Sequence, residues 1–267
     1  MWLNIGDLDV LLVEPSSMQA KTITQALARL HVTHVRLASN GAAALAEMRR
    51  HAPSLVISAM YLPDMTGTEL VFSMRADAEL EYLPFVLVSS EARPGRLASI
   101  RQSGACAIVP KPFSDNQLSR ALSATLELLQ EDDSLQEMGV EVDNLKILIV
   151  DDSRSSRNFI KRVLESTGVH HCVEAADGTE ALRLLQNTTF DLVITDYHMP
   201  EMNGRDLVEH IRHEGWQQEV PILMVTSEAD QGRLAAVEQA GVSGIFDKPF
   251  DPASVKAMLA QIFSTRK

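Results

Sequence analysis

The chain has 267 residues, 36 acidic against 24 basic, a net charge of −12 at pH 7, and 45% hydrophobic but only 5% aromatic residues. That length suits one large domain or two of ordinary size, and the acidic excess disfavours nucleic acid or an anionic membrane surface as a partner. The longest apolar runs, such as 147–150, fall far short of a membrane span, and no basic, apolar secretion signal opens the chain, so a cytoplasmic protein is expected. Cys106 and Cys172 offer neither a disulfide framework nor a CxxC pair and read as reduced thiols.

Taken in chain order, the elements repeat. PKPF at 110–113 returns as DKPF at 247–250, and the same offset of 137 residues carries Val13 onto Val150, Gly41 onto Gly178, Pro63 onto Pro200, Gly67 onto Gly204 and Gly104 onto Gly241. Residues 8–130 and 145–267 align without a gap at roughly 30% identity, which points to a duplicated domain and not to a short solenoid repeat. Between the copies, residues 131–144 (EDDSLQEMGVEVDN) hold six acidic residues and no basic one. This segment reads equally as a linker or as an extension of the preceding helix. In the second copy, apolar β-branched runs predict strands at 146–150, 171–174, 192–195, 222–226 and 244–246. Helical patterns fall at 153–166, 178–186, 204–212, 233–239 and 251–262, the last opened by Asp251 as cap and Pro252 at its first position. Subtracting the offset gives the first copy the same five strands and five helices. Continuously apolar strands alternating with helices indicate a parallel sheet covered on both faces.

Ligands of open parallel sheets gather beyond the carboxyl ends of the strands. There the second copy places Asp151 and Asp152, Asp196, Thr226 and Lys248. Two carboxylates about 4 Å apart repel by roughly 4 kcal/mol at an effective dielectric near 20, so a cation is needed. Lys248 supplies one charge; a hard divalent ion supplies the rest, and Mg²⁺ is the natural candidate. With both in place, one carboxylate can attack phosphorus to form an aspartyl phosphate.

The motifs VDDS at 150–153, ITDYHMPEMNG at 194–204, VTSEA at 225–229 and FDKPF at 246–250 together resemble the receiver domain of two-component response regulators, over essentially the whole second copy. The resemblance implies two tandem flavodoxin-like (βα)5 receiver domains, each an α/β unit with a five-stranded parallel sheet. It also implies Asp196 as phosphoacceptor, taking its phosphoryl group from a histidine kinase or a histidine phosphotransfer protein. Asp152 then binds Mg²⁺ directly and Asp151 through water, with Asp196 and the His198 backbone carbonyl in the same shell. Thr226 and Lys248 meet the phosphoryl oxygens, and the Lys248–Pro249 bond is expected cis. A haloacid-dehalogenase-type phosphatase also pairs an Asp nucleophile with Mg²⁺, but it needs a second acid where this chain has His198. A Rossmann enzyme needs a GxGxxG turn that is absent here. His170, His171 and Cys172 adjoin at the start of a predicted strand, so their side chains alternate between faces and suit one metal ion poorly.

The same positions in the first copy read Glu14, Pro15 and Ala59, with Ser89 and Lys111 retained. Residues 1–130 are therefore expected to be a degenerate receiver without a phosphoacceptor. Asp64, in the following loop, is no substitute, and Lys111 can pair with Glu14. In both copies an isoleucine, Ile108 or Ile245, replaces the aromatic switch residue that the family usually places three before the lysine, while Phe246 faces the other side of its strand. His198 and Glu228 flank the acidic site, as tuning groups or as solvated rim residues. The expectation is a signalling protein and not an enzyme, with residues 145–267 phosphorylatable, no effector domain after Lys267, and output through a downstream protein partner or receiver–receiver pairing within the chain or as a dimer. The alternatives are a phosphorylation-independent scaffold, or the input portion of a longer effector such as a nucleotide cyclase.

Overall fold

The structure is a computed structural model that describes residues 4–91, 100–130, 134–137, 140–215, 217–227, 231–249 and 252–264. It divides into two compact units, Met1–Gln130 and Glu131–Lys267. In the first, β1 (Asp9–Val13), β2 (His34–Ala38), β3 (Leu55–Ala59), β4 (Phe85–Ser89) and β5 (Ala107–Pro110) form an all-parallel sheet in the order β2-β1-β3-β4-β5. The central strands β3 and β4, LVISA and FVLVS, are buried at every position because both faces are covered. Edge strand β2 leaves His34 and Leu37 exposed. The helices are α1 (Ser17–Arg29), α2 (Gly41–Arg50), α3 (Gly67–Arg75) and α4 (Asp115–Leu129). The helix expected between β4 and β5 is described only over 100–102. Ser16, Asn40, Thr66 and Ser114 cap these four helices, each accepting a backbone N–H three residues on.

The second unit repeats this plan. Its strands β6 (Lys146–Val150), β7 (His171–Ala175), β8 (Leu192–Thr195), β9 (Ile222–Thr226) and β10 (Gly244–Asp247) run in the order β10-β9-β8-β6-β7, the same topology read from the opposite edge. All are parallel. Its helices are α5 (Ser134–Glu137), α6 (Arg154–Glu165), α7 (Gly178–Asn187), α8 (Gly204–Glu214), α9 (Gln231–Gln239) and α10 (Pro252–Ser264). Asp251, the expected cap of α10, lies outside the described residues, as do Glu228 and Phe250. In the acidic segment, α4 ends at Leu129 with Gln130 extended at ψ 134°. Beyond it α5 packs on α10, and Leu135, Val140 and Val142 are buried. Both Lys111–Pro112 and Lys248–Pro249 are cis.

The strand order 2-1-3-4-5 is the flavodoxin-like one, whose direction of winding reverses between the first and third strands and leaves a crevice at their carboxyl ends. In the two units those strands are β1 with β3 and β6 with β8. Each sheet rests on its own apolar cluster: Phe85, Met74 and Leu70 belong to the first, Ile222, Met224 and Leu207 to the second. Ile108 and Ile245 pack partly buried against these clusters. Among the described residues no helix is long and apolar enough to cross a membrane.

Candidate functional site

At the β6/β8 crevice the fold delivers the acids that follow the two strands to one place. Carboxylate oxygens of Asp151, Asp152 and Asp196 all lie within 4.8 Å of one another, the first and third buried and the second exposed. From the far edge of the sheet, Lys248, just past β10 and only 2% exposed, brings its Nζ to 2.5 Å from Asp151 Oδ2 and 3.2 Å from Asp196 Oδ2. Its backbone N–H donates to the Thr226 carbonyl, and Thr226, fully buried, ends β9.

Local structure fixes the two buried acids. Asp151 Oδ1 accepts the Ser153 N–H at 2.8 Å, while Oδ2 accepts the Ser156 hydroxyl at 2.6 Å as well as Lys248. Arg157, ion-paired to Glu174, donates to the Asp151 carbonyl. Asp196 Oδ1 accepts the Tyr197 N–H at 2.7 Å, and Thr195 Oγ1 donates to the Asp196 carbonyl. Helix α8 starts directly behind this turn: a Cβ on Gly204 would come within 2.0 Å of the Asp196 carbonyl oxygen, so only glycine lets the helix approach so closely. Ser156, Arg157 and Gly204 were not singled out as site residues by sequence. Gly204 is visible as a repeat of Gly67, whereas the two helix residues carry no motif of their own.

Three carboxylates against one ammonium leave a formal charge of −2. Burial is the largest influence on Asp196 and pushes its carboxyl above the ordinary range; Asp151 adds to this and Lys248 opposes it. His198, two residues on, is exposed and meets the Tyr197 ring edge-on at 4.8 Å. On β7, His171 is exposed and Cys172 partly buried. The Cys172 thiol is pushed up to about 12, mainly by burial.

The β1/β3 crevice has the same walls and different chemistry. Lys111 Nζ lies 2.9 Å from Glu14 Oε2 and also donates to Gln19 Oε1, while Ser16 N–H donates to Glu14 Oε1. Ala59 and Pro15 stand where the second unit has Asp196 and Asp152. Ser89 is buried, its hydroxyl accepting the Glu91 N–H. Asp64 is turned away to the start of α2, where the Gly41 and Ala42 N–H groups bind its carboxylate and lower its pKa. One acid and one lysine balance here.

A family model described as the response regulator receiver domain matches this chain twice, over residues 10–123 and 147–260. The chain belongs to the response regulator receiver family. It is a two-component response regulator with two tandem receiver domains. The chemotaxis protein CheY-3 of Vibrio cholerae is 42% identical over 120 residues, covering 45% of this chain and 92% of that protein. The chemotaxis protein CheY of Pseudomonas aeruginosa is 41% identical over 119 residues, 45% of this chain and 96% of its own. Among solved structures, Vibrio cholerae CheY4 is 35% identical with a TM-score of 0.41, over 44% of this chain and 98% of that one. Receiver domains are signalling domains, and each receiver here keeps the fold while only the second keeps the acidic trio.

Proposed function

We propose that the second receiver, residues 145–267, accepts a phosphoryl group on Asp196, and that the first, residues 1–130, cannot. The observation that carries this reading is the cluster of buried Asp151 and Asp196 with exposed Asp152 around Lys248, whereas the corresponding first-receiver site is reduced to Glu14 and Lys111. The donor is a phosphohistidine on a histidine kinase or phosphotransfer protein. A carboxylate oxygen of Asp196 attacks phosphorus, and the P–N bond breaks with its electron pair remaining on the imidazole nitrogen. Tyr197 N–H orients the carboxylate, Lys248 moves from the acids to the phosphoryl oxygens, and the Thr226 hydroxyl turns towards them.

Three hard oxygen ligands within 4.8 Å, with two negative charges unbalanced, fit Mg²⁺. Asp151, Asp152, Asp196 and the His198 backbone carbonyl would hold it. When bound, it neutralises charge that builds on the transferred phosphoryl oxygens. The output of this cytoplasmic signalling protein is contact with a downstream protein, biased by the new charge at Asp196, and not an enzymatic turnover.

Incubation of the full chain with Mg²⁺ and a small acyl phosphate, followed by intact mass, tests the reading. One phosphoryl adduct is expected on wild type and none on Asp196→Asn; an adduct that survives in Asp196→Asn overturns it.

A further inference from the structure

Asp151 Oδ2 is shared by two donors from different parts of the chain. Lys248 reaches it from beyond β10, and Ser156 reaches it from the first turn of α6, where the serine is only 4% exposed. The residue at the same position of the first receiver is Gln19, and it too joins the acid–lysine pair, but from the other side. Its Oε1 accepts from Lys111, giving that ammonium a second acceptor beside Glu14. Ser156 thus feeds the acid, whereas Gln19 tethers the lysine.

We infer that Ser156 is a positioning residue that sets how readily Lys248 leaves Asp151 for the phosphoryl group on Asp196. The inference rests on the reading of Asp196 as phosphoacceptor. Lys248 Nζ stands between the two acids, closer to Asp151 than to Asp196. As the phosphoryl group arrives, negative charge grows on the Asp196 side and the ammonium has to follow it. Asp151 is fully buried, so bulk solvent does not reach the oxygen that the ammonium leaves, and a carboxylate oxygen with no donor there is costly. The Ser156 hydroxyl stays on Oδ2 and keeps that oxygen satisfied. A chain lacking the hydroxyl holds Lys248 more firmly on Asp151, which slows transfer and leaves the phosphorylated state less well neutralised.

The test compares Ser156→Thr with Ser156→Val in the full chain, because the two side chains share a shape and differ in the hydroxyl. With Mg²⁺ and a small acyl phosphate, intact mass against time gives the phosphorylation rate, and donor removal gives the lifetime of the adduct. Ser156→Val is expected to phosphorylate about tenfold more slowly, the scale of one hydrogen bond to a charged group, with a shortened lifetime. Ser156→Thr should stay within about twofold of wild type, a rescue that a mere volume effect cannot produce. Ser156→Ala removes the hydroxyl without added bulk and should follow the valine variant, which covers the case of a misfolded Val protein. Equal rates for wild type, Thr and Ala overturn the inference while leaving Asp196 as acceptor. Absence of any adduct on wild type sinks the reading of Asp196, and this inference with it.

Discussion

Replacing Asp196 by asparagine should stabilise the metal-free second receiver, although it removes an ion pair. Lys248 at 3.2 Å attracts the Asp196 carboxylate by about 5 kcal/mol at an effective dielectric near 20. Asp151, within 4.8 Å, repels it by at least about 3.5 kcal/mol on the same scale, and the exposed Asp152, equally near but screened by solvent, repels it by less. The Coulomb contributions therefore nearly cancel, and the cost of burying the charge decides the sign. The raised pKa of Asp196 says the same thing: the ionised form is disfavoured in the fold. Asparagine keeps the volume and removes the charge, so we expect a gain of about 1–3 kcal/mol near neutral pH, a rise of several degrees in one melting transition. The pH dependence has a definite sign. A raised folded pKa contributes stability that is fully present below the ordinary value of 3.8 and is lost as pH rises through the folded value. Wild type and Asp196→Asn should therefore converge in acid and separate as the pH climbs. Mg²⁺ should reverse the order, since an ion at a hundred times its dissociation constant stabilises the wild type by about 2.7 kcal/mol and the variant by less. Differential scanning calorimetry of the full chain, with EDTA and with Mg²⁺ across pH 4–8, reads all of this. A variant that melts below wild type in EDTA at neutral pH, or an equal Mg²⁺ shift in both proteins, would refute the reasoning.

Three further outcomes follow from the same contacts. Lys248→Met leaves the buried acids without their cation and should cost about 3–5 kcal/mol in EDTA, partly recovered by Mg²⁺, whereas Lys111→Met, at a partly exposed lysine beside one acid, should cost distinctly less in chemical denaturation. Gly204→Ala drives a Cβ to 2.0 Å from the Asp196 carbonyl oxygen and should destabilise by about 1–3 kcal/mol or more; Gly178→Ala meets Met202 side-chain atoms at 2.7–2.9 Å, a clash with a side chain and not with backbone, and should be milder in the same melts. Cys172, its thiol pushed up to about 12, should resist iodoacetamide at pH 8 in the native protein and react on unfolding, with peptide mass mapping as the measurement.

The sheet and the acidic trio were legible in the sequence because both rest on position along the chain. Runs such as ILIV and LVIT are apolar throughout since both of their faces are buried, and the residue after each run has nowhere to go but the carboxyl edge. The partners of Asp151 were not legible. Ser156 is one of three serines around the start of α6, and only the packed side-chain geometry shows which of them donates to which oxygen. The acidic segment was hard to read for another reason. Its six charges dominate a reading by composition, yet among its described residues the apolar Leu135, Val140 and Val142 are the buried ones.

Charge balance accounts for the difference between the two receivers. The first pairs one acid with one lysine, so its crevice is neutral and nothing compels it to recruit an ion. Alanine and proline at positions 59 and 15 carry no carboxylate, so no acid there repels Glu14, and Gln19 gives Lys111 a second acceptor. The second receiver keeps two surplus charges, and an ion that neutralises them should stabilise its fold. On the proposed reading, that surplus couples the site to its surroundings: a divalent ion or a phosphoryl group would shift the second receiver by relieving the imbalance of its resting state. The first, whose single acid and lysine already balance, has no such imbalance to relieve.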